Sequence, residues 1–202
     1  MSFRAPFFRY DDLRQRAEAF LARYHFERTI PVPIEQIVDV QLQMDIVPVP
    51  GLQNAYNTVA FISRDLQTIC VDDFVYRARP NRYRFSLAHE LGHRILHAKV
   101  FQDLAFDDIA SWKEVVSDAI PEDQYRYLEF HAYAFAGLIL VPPVELRDVF
   151  FDHVEEGQKH GIDFDEAGTG AREVVEAHLA RTFEVSRDVI HRRVEFDELW
   201  HS

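Results

Sequence analysis

Apolar and polar positions alternate with two different periods along this chain. Leu13, Ala17, Phe20, Leu21 and Tyr24 recur three and four residues apart behind the acidic pair Asp11-Asp12, which predicts one amphipathic helix. The segment PVPIEQIVDVQLQM, residues 31–44, opens on prolines suited to a first turn and predicts a second. DIVPVP, NTVAFIS and TICVDD follow as short β-branched or apolar runs, separated by Gly51, Asn54, Asn57 and SRDLQ. They read as a small antiparallel sheet. From Asn81 onward the period is helical again. RFSLAHELGHRILH, residues 84–97, carries Phe85, Leu87, Ala88, Leu91, Ile95 and Leu96 behind Pro80. YLEFHAYAFAGLILVPP, residues 127–143, predicts a nearly all-apolar helix that begins at Glu129 and stops at Pro142-Pro143. The expected architecture is α+β: a small antiparallel sheet packed on a mainly helical core.

The stretch Glu155 to Gly170 holds four of the seven glycines and reads as a linker. It divides the chain into a main domain over residues 1–165 and a helical tail over 166–202, expected to pack on the same domain. The tail resembles a helix-turn-helix, with Leu179, Ala180 and Phe183 on one helix, Val185-Ser186 at the turn, and Val189, Ile190 and Arg193 on the next. Charge changes that picture. The 202 residues carry a net charge of −12, and Glu184, Asp188, Glu195, Asp197 and Glu198 surround the tail's arginines. Attraction to phosphate supplies most nucleic-acid affinity, so the tail reads as a packing or protein-contact module and no direct nucleic-acid partner is expected. The amino-terminal residues lack a signal-peptide core, and no apolar run is long enough to span a bilayer, which points to a cytoplasmic protein without membrane contact. Cys70, the one cysteine, sits in the apolar run TICV and reads as an ordinary strand residue.

Candidate chemistry concentrates in residues 84–97. His89, Glu90 and His93 form H-E-x-x-H, and on a helix residues four apart share a face, so both imidazoles can point at one ion with Glu90 beside it. Two neutral imidazoles and a carboxylate leave a fourth position on zinc for water, whose pKa falls towards 7. Glu90 can take that water's proton as general base and pass it to a leaving amine. The reaction this predicts is peptide hydrolysis. A metzincin-like layout would place a third histidine ten residues after the first ligand, where Lys99 stands instead. The remaining common plan takes a glutamate from a later helix, and Glu129 stands at the head of an apolar one, where a carboxylate needs a counter-charge. His97 reads as a core residue or a neighbour of the ligands, His131 as a surface or packing residue, and the run Arg77, Arg79, Arg82 and Arg84 as a solvated turn beside the metal helix. The acidic segment Ala98 to Leu128 reads as a lid or an extra packed helix.

RFSLAHELGHRILH followed by the series Glu129, Ala132, Phe135, Ala136, Ile139 and Pro142 resembles the ImmA/IrrE family of zinc metallopeptidases. The resemblance extends to an amino-terminal helix, the Pro31–Ile34 segment and a small sheet ahead of the metal helix. It implies a zincin-like core, one zinc ion per chain held by His89, His93 and Glu129, and Glu90 as catalytic base. It also implies a substrate that is a helix-turn-helix repressor, cleaved to release transcription. Where the family usually has Asn or Asp after the alanine, this chain has Tyr133, which removes one group that could orient a ligand histidine. The other reading is a binding module that keeps the metal for structure: a non-cleaving antirepressor or a toxin–antitoxin partner. Glu90 favours the enzyme, since a purely structural site has no use for a base beside an open coordination position.

Overall fold

A computed structural model describes residues 3–164 and 168–201. The predicted first helix forms as α1, Tyr10–Tyr24, burying Leu13, Ala17 and Phe20. The second is short: α2, Ile34–Gln36, runs on as a π-helical turn over Ile37–Gln41. Next come β1 (Asp45–Val49), α3 (Leu52–Tyr56), β2 (Ala60–Ile62) and β3 (Thr68–Asp72). Their order in the sheet is β1-β3-β2, which leaves β2 on an edge. The α+β class stands, and the sheet is mixed: β2 pairs antiparallel to β3, while β1 pairs parallel to it. The reason lies in the connections. Residues 63–67 close β2 onto β3 as a hairpin, whereas the chain between β1 and β3 contains α3 and β2, long enough for the crossover that parallel pairing requires. Pro48 fits β1 because an edge strand can spare one backbone donor.

Asp72 ends β3 and caps α4 (Asp73–Ala78), its carboxylate accepting from the Phe74 and Val75 backbone amides. The chain then enters α5, Pro80–Leu96, with Pro80 in the first turn. The acidic segment that follows folds as two helices, α6 (Ala98–Asp103) and α7 (Ile109–Ala119). They are held by the rings of Phe101, Phe106 and Trp112, whose centroids lie 4.8–5.8 Å apart. Helix α8 spans Glu122–Leu140. It starts two turns earlier than expected, because the polar stretch preceding Glu129 continues the helix beyond its apolar part. Glu129 is therefore a mid-helix residue and cannot be explained by the positive end of a helix dipole. The two prolines act on both sides: α8 ends at Leu140, and Pro143 begins α9, Pro143–Lys159.

The expected boundary between residues 165 and 166 lies outside the described residues. Beyond it, α10 (Gly168–Phe183) and α11 (Arg187–Phe196) are joined by a three-residue turn with Glu184 at φ 52°. Arg193, expected on the second tail helix, is 3% exposed. It donates to Asp197 at 2.7 Å, to the Val141 carbonyl at the end of α8, and to the Tyr10 hydroxyl of α1. Among the described residues, no helix is long and apolar enough to cross a membrane.

Helices α5 and α8 cross where Gly92 faces Ala132. A Cβ at Gly92 would lie 3.0 Å from the Ala132 Cα and 3.1 Å from its carbonyl oxygen, so the backbone of α8 would have to give by a few tenths of an ångström. Replacing a helical glycine by alanine ordinarily gains about 1 kcal/mol, but overpacking a close contact costs about 1–3 kcal/mol. Gly92→Ala is expected to lower the denaturant midpoint despite its better helix propensity; a midpoint equal to or above wild type would show that the crossing tolerates the methyl group.

Candidate metal centre

The crossing brings three side chains to one point. His89 and His93 lie one turn apart on α5, and Glu129 lies three residues before Ala132 on α8, so all project into the same gap. His89 Nε2 and His93 Nε2 are 3.1 Å apart. Glu129 Oε2 is 3.3 Å from His89 Nε2, and Oε1 is 3.5 Å from His93 Nε2. Donors about 2.0–2.1 Å from a tetrahedral zinc ion are separated by roughly 3.3–3.4 Å, so the three spacings match those around one such ion. Among the described residues this is the only cluster of three such groups with converging donor atoms. His93 is buried, and His89 and Glu129 are half-buried.

The electrostatics follow from that proximity. Burial alone would raise the Glu129 carboxyl, but its hydrogen bonds with His89 and His93 outweigh it and hold the group far below the usual carboxylate range. Burial likewise opposes a charge on His89, yet the Glu129 hydrogen bond and the carboxylates of Glu90 and Glu129 lift its pKa. The site thus offers a fixed anion and demands a cation. Glu90, 7% exposed, is pushed up by burial against the opposing pull of the two histidines, the direction that suits a general base.

Three further groups lie against these residues. His93 Nδ1 lies 3.1 Å from His97 Nδ1. Were Nε2 to hold an ion, the proton of a neutral His93 would sit on Nδ1, facing His97. Burial depresses the His97 pKa to about 2, which keeps that imidazole neutral and able to accept. His97, 1% exposed, is buried as expected; His131 is equally buried and takes the packing side of its surface-or-packing reading, its ring edge-on to Phe8. Tyr125, one turn before Glu129 on α8, has its phenol pKa raised by burial and by the neighbouring Glu129 carboxylate. The Ile62 backbone lies beside Glu90 and draws its carboxyl pKa down against the effect of burial. Neither of the last two was expected. Tyr125 left a faint signal, an aromatic four residues before a candidate ligand; the Ile62 backbone left none, because every residue has one.

A cleft of about 390 Å³ opens onto the cluster. One wall is residues 57–61 leading into β2, and the other is α7, through Ile109, Trp112 and Lys113. Asp72 N–H donates to the Val59 carbonyl and Ser63 N–H to that of Thr68. In an antiparallel ladder such pairs alternate, so Ala60 and Ile62 turn their backbone groups away from β3. The Ile62 backbone lies against Glu90, which leaves Ala60 as the outward-facing residue of β2 in the cleft wall. Of the arginine run, Arg82 lines the cleft. Arg77 pairs with Asp73 at 2.8 Å, Arg79 lies over the Phe74 ring, and Arg84 donates to the Val32 carbonyl at 2.9 Å. Tyr133 donates to Asp188 of α11 at 2.8 Å and orients no ligand histidine.

No curated protein matches the chain. A solved structure, a Mycobacterium tuberculosis transcriptional regulator, is similar at a TM-score of 0.52 and 15% identity over 91% of this chain and 46% of that one. At that identity the likeness is one of fold, and the chain spans less than half of the regulator's length. Residues 67–195 match the peptidase family described as the IrrE N-terminal-like domain. That match takes in both histidines, Glu90, Glu129 and the two tail helices, and the chain belongs to this family.

Proposed function

We propose that the protein is a zinc-dependent endopeptidase that cuts one peptide bond in a partner protein, a helix-turn-helix transcriptional repressor, with a regulatory outcome. The observation that carries the reading is the triangle of His89, His93 and Glu129 donor atoms at 3.1–3.5 Å, with Glu90 beside it and a cleft in front. The family match and the likeness to a transcriptional regulator support a regulatory setting.

His89, His93 and Glu129 would hold the ion. Bound there, zinc supplies a Lewis acid that polarises the scissile carbonyl and makes water acidic enough to attack at neutral pH. Glu90, with the Ile62 backbone beside it, accepts that water's proton at one carboxylate oxygen. The proton then passes from Glu90 to the leaving nitrogen. Tyr125 lies beside the Glu129 carboxylate. The backbone N–H and C=O of Ala60 pair with an extended substrate, a mode that gives affinity with little sequence choice. Selectivity then comes from docking of the whole partner, and short peptides are poor substrates.

Purified protein should bind about one zinc ion per chain, and Glu129→Ala should lower that occupancy, because only two protein ligands remain. Glu90→Gln should keep the metal and lose nearly all cleavage of the partner repressor, since an amide cannot accept the proton. Elemental analysis and mass spectrometry of the partner read both. Full occupancy in Glu129→Ala rejects that ligand, and an intact partner with wild-type protein favours the non-cleaving module.

His97→Phe removes the acceptor for the His93 Nδ1 proton. Loss of such a partner typically weakens metal binding about 10–100-fold, measurable by competition with a chromogenic chelator; unchanged affinity would mean that His97 only fills space.

Ala60→Pro deletes the outward amide of β2 without altering Ile62, the neighbour of Glu90. Cleavage should fall while zinc stays bound. If the variant is folded and cuts the partner at the wild-type rate, substrate does not pair with this edge.

A further inference from the structure

A second cavity, of about 300 Å³, lies on the far side of Glu129 from β2. It shares His89, Glu129 and Tyr133 with the cleft, so the two cavities meet at the metal ligands. Its other walls are apolar: Phe130 and Ala134 of α8, Val189 and Phe196 of α11, and the ring of Tyr10. These walls are braced from behind. Tyr10 stacks on Phe196 with centroids 4.6 Å apart, Tyr133 is tied to Asp188, and the Arg192 guanidinium lies 5.1 Å from the centre of the Tyr133 ring. The arginines at its border are already matched, Arg192 with Asp188 at 3.2 Å and Arg193 with Asp197 at 2.7 Å. The pocket is therefore preformed, offers no free charge to an ionic side chain, and has volume for one large neutral group. Phe130 and Phe196 nevertheless leave 44% and 49% of their surface in water. An apolar occupant would recover that cost.

We infer that this pocket receives the side chain next to the scissile bond and selects a bulky apolar residue, aromatic or leucine-like. The inference rests on the endopeptidase reading, because it is the shared rim of His89 and Glu129 that puts a neighbouring side chain within reach. It also gives the tail a role: α11 forms one wall of the pocket, so substrate choice depends on a helix that supplies no metal ligand.

The test uses the full chain loaded with zinc and two hydroxamates, which bind through the metal and need no knowledge of the substrate. Acetohydroxamate fills the open coordination position alone, and 3-phenylpropanohydroxamate adds an aromatic arm. Burying such a ring is worth about 1.5–3 kcal/mol, so calorimetry should find the second compound bound roughly tenfold or more tightly. Ala134→Phe fills the pocket and should bring the ratio of the two affinities close to one. Phe196→Ala, at a half-exposed position and mild for folding, should reduce the ratio several-fold. Equal affinities in the wild-type protein, or a ratio unchanged in the folded variants, would overturn the pocket. Acetohydroxamate that binds without a gain from the arm removes the pocket alone. Acetohydroxamate that fails to bind removes the endopeptidase reading, and this inference falls with it.

Discussion

The closeness of two helices at a single residue pair governs this structure. Because Gly92 has no side chain, α5 can rest against the backbone of α8 at Ala132, and that approach sets the reach between the two histidines and Glu129. Side chains of fixed length on rigid helices converge to hydrogen-bonding distance only if the axes are held that near.

Charge is the second constraint. The two imidazoles that face Glu129 hold its carboxyl far below the usual range, and the same contact draws His89 toward protonation, so each group favours the other's charged form. The neighbouring groups do not relieve this. His97 is neutral, Tyr125 is a phenol kept protonated beside Glu129, and Glu90 is a further acid nearby. A divalent cation would resolve all of these tensions together, which is why the cluster reads as a ligand set more readily than as a salt bridge that stabilises the fold.

Much of this was legible in the linear chain, for reasons that differ by residue. His89, Glu90 and His93 were readable because helical spacing is a local property and residues 84–97 carry a strong helical pattern. Glu129 was readable as a charge in an apolar run, although its place within α8 was not, because polar residues can extend a helix that apolar periodicity does not reveal. Strand direction in β1 depended on what the connection holds and not on the strand's own residues. The Ile62 amide and the fate of Arg193 were invisible: one is backbone, and the other looked like a surface cation until α1, α8 and Asp197 closed around it. Tyr133, which departs from the family's usual residue, turned out to bond across to α11.

That bond between Tyr133 and Asp188 has a consequence for the order in which the protein is made. Every group of the cluster has left the ribosome once residue 129 emerges, and α5 and α8 can pair once Ala132 and the rest of α8, to Leu140, have followed. The side of α8 that bears Tyr133, Ala134 and Gly137 waits for some fifty residues more, until α11 arrives to cover it. During that interval the nascent chain holds its ligands but not the wall beside them. Synthesis thus completes the three-residue cluster first and the neighbouring wall second, and α11 is the element that closes the gap.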